Sequence, residues 1–175
     1  MKSFRSVLQI FLLTGVVFFA GMDSPVAQQF STTQDLLMVD TNHRVIGHVV
    51  KLMSTGDRAQ VVLELPGLTE TVLVNVYRYR IDHVTHPFVY FTSRDCSGSV
   101  YLLASASENN VVPATAIAGE NQSLYISDGN ASVMRTVGSM LSGRDCVTVT
   151  MDIEALNAEL IADLGLEYLP PYTVE

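Results

Sequence analysis

Between residues 36 and 150 the chain is a succession of short runs rich in Val, Leu, Ile, Tyr and Phe, cut at short intervals by turn formers. β-Branched and aromatic side chains suit a pleated, half-buried surface, and clusters of Gly, Asn, Asp and Pro end such runs. Candidate strands are Leu36 to Asp40, Val45 to Met53, Ala59 to Leu65, Glu70 to Tyr79 and Phe88 to Ser93. Further runs are Val100 to Ala104, Val111 to Ala118, Ser123 to Ser127, Ala131 to Val137 and Cys146 to Thr150. Short strands at this spacing predict an all-β domain, a small sandwich or barrel of antiparallel strands, and argue against βαβ units. The best hairpin signals are Val39 to Val45 around Asn42 and Ile126 to Ser132 around Asp128-Gly129.

Alternation assigns faces. Ile46, Val50 and Leu52 share a face with His48; Val74 and Val76 lie opposite Leu73, Asn75, Tyr77 and Tyr79. Both faces of that strand and of Phe88 to Phe91 are largely apolar, as expected of central strands covered on two sides. The pattern changes after Cys146. Asp152 can cap a helix with Ile153, Leu156, Leu160, Ile161 and Leu164 near one face and Gly165 as its C′ residue. A short C-terminal helix and an extended acidic end are expected there, with Pro170-Pro171 stopping any regular element. Residues 152–175 hold six acidic residues (Asp152, Glu154, Glu159, Asp163, Glu167, Glu175) and no basic one.

The N-terminus reads as an export signal. Lys2 and Arg5 precede an apolar run from Val7 to Met22 that only Gln9 and Thr14 interrupt. A signal helix within residues 1–27, cleaved between 20 and 28, is expected, with an uncleaved N-terminal anchor as the alternative. The remainder divides into a β domain over 28–150 and the acidic segment over 151–175. Export places the domain in the periplasm or outside the cell, where thiols oxidise. Cys96 and Cys146, the two cysteines of the chain, then allow a single intrachain bridge, with a pair of free thiols as the alternative. The formal net charge of −8 excludes binding to nucleic-acid phosphates, and no polybasic patch marks an anionic lipid surface.

The run Val39-Asp40-x-Asn42-x-x-Val45-Ile46-Gly47, followed by Val89-Tyr90-Phe91-Thr92-Ser93-x-Asp95-Cys96-Ser97-Gly98-x-x-Tyr101, resembles a pattern in uncharacterised exported bacterial β-domain proteins. In these a strand enters an Asp-Cys-Ser-Gly turn, an aromatic residue follows on the next strand, and a second cysteine comes later. Phage tail and collagen-like exported proteins carry similar modules. The resemblance covers residues 38 to 150 and implies a small β domain, with no activity or cofactor to carry over. Here Asn42-His43-Arg44 stands where that pattern has Asn-Gly.

Few residues suggest chemistry. His83 and His86, beside Asp82, resemble a metal-binding fragment, but no second ligand cluster accompanies them and Pro87 makes a loop pair the better reading. Ser97 could act as a nucleophile only with a nearby imidazole, and Ser97-Gly98 is explained as a tight turn. Glycine-rich phosphate loops and dinucleotide fingerprints are absent from the sequence. Tyr77-Arg78-Tyr79-Arg80 is the most suggestive binding feature, since alternation puts the tyrosines on one face and the arginines on the other. Tyr77, Tyr79, His83 and His86 therefore form the candidate binding surface, and no cofactor or catalytic set is assigned. The expected function is that of an exported, non-catalytic β domain engaged in binding, through an unknown protein or envelope component. The alternative is a small secreted serine- or metal-dependent hydrolase.

Overall fold

The computed structural model describes residues 35–84, 88–106 and 113–175. The expected signal segment and His86 lie outside them. The described part is a sandwich of two six-stranded sheets whose pairings are all antiparallel.

The first sheet is mostly a meander. It contains β1 (Leu37–Val39), β2 (Val45–Leu52), β3 (Arg58–Leu63), β4 (Leu73–Tyr77) and β5 (Arg80–His83). Each pairs with the next, and the C-terminal β12 (Thr173–Val174) adds on beside β1. The β1–β2 turn forms where the sequence predicts it. His43 there takes a left-handed backbone conformation (φ 58°), for which Gly has no Cβ penalty. The buried Asp40 stabilises this turn: its Oδ1 accepts the N–H groups of Asn42 (2.8 Å) and Arg44 (2.9 Å). At Gly47 a Cβ would meet the Val62 carbonyl oxygen at 1.9 Å, so only glycine lets β2 approach β3 this closely.

The second sheet is less local. It contains β6 (Phe88–Phe91), β7 (Val100–Leu103), β8 (Thr115–Ala118), β9 (Ser123–Ser127), β10 (Val133–Ser142) and β11 (Asp145–Asp163). Their order is β10-β6-β7-β11-β9-β8, and β10 also pairs with β11, which closes four strands into a ring. Ala155 shows the closure: it stands opposite Val133 of β10 and Leu103 of β7 and has no exposed surface.

Period-two alternation sorts the apolar side chains into three clusters. Ile46, Val61, Val74, Val76 and Ile81 of the first sheet pack against Ile117, Leu124 and Ile126 of β8 and β9. The other face of β8 and β9, with Ala116, Ala118 and Tyr125, packs with Val89, Phe91, Leu102 and Leu156. Tyr90, Tyr101, Val137, Ile153 and Ala155 form the third cluster within the strands of the ring. Gly138 sits at a register shift in β10, where a Cβ would clash with the carbonyl oxygens of Thr92 and Ser93 at 2.7 and 2.6 Å.

Cys96 and Cys146 form a disulfide, with Cα atoms 5.9 Å apart. It ties the turn after β6 to the start of β11. Chain separation across it is 50 residues, for which the loop-entropy treatment gives a stabilisation of about 4 kcal/mol.

Three expectations need correction. The segment from Asp152 is not helical: β11 runs unbroken through Asp163, and the short C-terminal helix α1 covers only Leu164–Glu167. Ile153 and Ala155 face one cluster while Leu156 and Ala158 face another, and a register shift intervenes between Leu160 and Ala162. A strand buried on alternating sides with such a shift imitates helical spacing. The acidic end is not a separate tail either. Leu164, Tyr168 and Tyr172 are buried in the first cluster, the Tyr168 hydroxyl donates to the Glu64 carbonyl at 2.9 Å, and β12 completes the first sheet. Finally, Asp128-Gly129-Asn130 does not close a hairpin, because β9 pairs with β8 and β11 and not with β10.

Candidate binding surface

Tyr77 to Arg80 does not continue β4 as a strand. Arg78-Tyr79 is a two-residue turn, and Tyr77 stands directly opposite Arg80 on β5. Alternation restarts across that turn, so Tyr77 shares a face with Arg80 and not with Tyr79. Arg58 on β3 lies opposite Tyr77 from the other side. The row Arg58–Tyr77–Arg80 therefore crosses three strands on the face turned away from the core.

Its geometry is that of a cation–π ladder. The Arg80 guanidinium lies 4.4 Å and that of Arg58 5.8 Å from the Tyr77 ring centre. Arg58 Nη1 also donates to the Tyr77 hydroxyl at 2.9 Å. Within the turn, Arg78 lies 5.4 Å from the centre of the Tyr79 ring, and Tyr79 is 63% exposed. The neighbouring row on the same face is Lys51, Gln60, Asn75 and Asp82. Asn75 donates from its amide nitrogen to the His83 carbonyl at 2.9 Å, while its buried Oδ1 has no hydrogen-bond partner.

Lys51, Arg58, Arg78 and Arg80 are four of the ten Lys and Arg residues in a chain that carries 18 acidic ones. One of them is neutralised within the fold, Arg80 by Asp82 at 3.5 Å. Among the described residues no ion pair includes the other three. Most of the six acids of the C-terminal segment have partners elsewhere. Glu167 pairs with Arg44, Glu175 with His43, Asp152 accepts from Thr136, and Glu154 accepts from Ser132. The result is a basic, aromatic patch on one end of a sheet in an acidic protein.

Of the four candidate binding residues, Tyr77 and Tyr79 both lie in this patch, although on different elements. His83 sits at the other end of β5, in phase with the core residue Ile81, with its Nδ1 2.6 Å from Asp82 Oδ1. His86 is outside the described residues. Sequence reasoning missed the contributions of Lys51 and Arg58, which reach the patch only through strand register.

The Ser97 alternative has a different environment. The Ser97 hydroxyl donates to Asp95 Oδ1 at 2.6 Å, and Ser93 Oγ lies 3.4 Å from it. Hydrogen bonds from Ser97 and then Ser93 hold the Asp95 carboxyl below its usual pKa, which makes it a weaker base. Among the described histidines, His43 meets Glu175, His48 meets Glu64 and His83 meets Asp82. None of the described hydrogen bonds joins an imidazole to Ser97. Among the described residues no group of three or more His, Cys, Asp or Glu side chains is placed to hold a metal ion, and no helix is long and apolar enough to cross a membrane.

Comparison with protein-family models, curated proteins and solved structures finds no match to this chain.

Proposed function

We propose that this chain is an exported bacterial, non-catalytic β domain, periplasmic or extracellular, that works by binding an acidic face of a protein partner in the cell envelope. The observation that carries this reading is the Arg58–Tyr77–Arg80 ladder with Lys51 and Arg78 around it. Guanidinium groups held over an aromatic ring are already oriented, so less entropy is lost when they meet carboxylates in a bidentate fashion. The export-type N-terminus and the disulfide support the compartment.

The test is a titration of a decaglutamate peptide into the mature domain at low and high salt. Saturable binding that weakens with salt and is lost in the Lys51→Glu/Arg80→Glu double variant is the expected result. A domain that ignores the peptide, or a double variant that binds it equally well, contradicts the proposal.

A further inference from the structure

Beside the ladder, a pocket of about 510 Å³ opens at the end of the first sheet. Its floor is the core-facing surface of that sheet: Met38 of β1, Ala59 of β3 and Val76 of β4, each at most 4% exposed. The C-terminal segment forms the opposite wall through Tyr172. This segment is fixed in place, since Tyr172 N–H donates to the Arg78 carbonyl at 2.9 Å and its hydroxyl to the Tyr168 carbonyl at 3.1 Å. Sites for small organic ligands have volumes of roughly 300–1,000 Å³, apolar walls and a few oriented polar groups. This pocket has that size and that lining.

The rim decides the ligand class. Arg58 and Arg78 border the pocket, and among the described residues neither has a carboxylate partner. Arg58 spends one donor on the Tyr77 hydroxyl and a guanidinium has five. Asp57, the acid at the rim, accepts from the Thr55 hydroxyl. We infer that the pocket binds a small amphipathic anion: an apolar body between the exposed Leu52 and Val174, over a floor of Met38, Ala59 and Val76, and one carboxylate-like head at Arg58 and Arg78. This second site shares Arg58 and Arg78 with the patch on the outer face of the sheet but takes a different class of ligand.

Calorimetric titration with decanoate, and separately with decyltrimethylammonium below its micelle concentration, tests the inference on the mature domain. Decanoate is expected to bind one to one and at least about tenfold more tightly than the cationic analogue. Arg78→Glu, an exposed turn substitution, should weaken decanoate by about tenfold or more. Ser54→Trp, at the exposed rim, should block it without lowering the melting temperature. Arg94→Glu, on the turn after β6, should leave decanoate binding unchanged. Equal binding of the two amphiphiles, or undiminished decanoate affinity in both Arg78→Glu and Ser54→Trp, overturns the inference.

Discussion

The two sheets are built by different means. In the first, five of the six strands pair with their sequence neighbours, and each register is set by a short connection. In the second, β6 meets β10 and β7 meets β11 across some 50 residues of chain, the four strands close on one another, and a disulfide fastens the closure. Local pairings close small loops and long-range ones close large loops, so the second sheet gains more from a crosslink that restricts the unfolded chain. The first sheet leaves its outer face to solvent and carries the charged ladder there. In the second sheet β8 and β9 spend both faces on packing, while long stretches of β10 and β11 are exposed. The proposed binding surface thus sits on the locally built sheet, against whose other face β8 and β9 of the crosslinked sheet pack.

The contrast fails first at the C-terminus, where the locally built sheet depends on distant chain. Deleting residues 168–175 removes two buried tyrosines from its core and the strand beside β1. At roughly 3–5 kcal/mol for each large aromatic side chain lost from a core, the β domain should no longer fold cooperatively. A truncated protein with a sharp thermal transition would show the first sheet to be self-sufficient.

Replacing Cys96 and Cys146 together with serine should cost about 4 kcal/mol in urea unfolding. Hydrogen exchange should accelerate most in β6, β7, β10 and β11. Uniform acceleration across both sheets would erase the distinction between them.

A smaller effect is expected at Asp40. Burial alone would raise its pKa, but N–H donors from Arg44, Leu169 and Asn42 outweigh that and hold it below the ordinary aspartate value of 3.8. A carboxyl with a depressed folded pKa binds fewer protons folded than unfolded, so its stabilisation is present above about pH 4 and fades as pH falls through the folded value. Asp40→Asn should cost roughly 1–3 kcal/mol at pH 7, and the gap from the parent protein should narrow at pH 3.

Alkaline pH gives the fourth comparison. Burial pushes the Tyr172 hydroxyl from 10.0 up to about 12, and raises Tyr90, Tyr125 and Tyr168 in the same direction. A phenol that stays protonated when folded stabilises fully below pH 10 and loses that contribution between pH 10 and about pH 12. The shift at Tyr172 corresponds to roughly 2–3 kcal/mol. Tyr172→Phe should therefore unfold less steeply than the parent over that range, and equal steepness would mean the residue is not buried in solution.

The sequence shows the first sheet more plainly than the second. Asp40-Thr41-Asn42 marks a turn and the connections are short, but the apolar Leu73 and Tyr77 suggest cover on both sides of β4, where Val74 and Val76 alone of that strand face the core. β9 shows no such signal: all of Ser123 to Ser127 is buried, so both of its faces read alike. β11 changes partners from β10 to β7 to β9 along its length, and its apolar residues follow those changes and not a single period. Of the binding surface, Tyr77 and Tyr79 are visible as a motif. Arg58 and Lys51 join it only because β3 pairs with β4 and β2 with β3, a matter of register that a linear motif does not encode.

Hydrogen exchange of the β domain with and without decaglutamate is the most direct test of the proposed binding surface. Added protection confined to residues 51–60 and 73–83 is the result expected of a ligand on the Arg58–Tyr77–Arg80 ladder. Protection centred on the β10–β11 hairpin or on the turn around Ser97, with the first sheet unchanged, would contradict it.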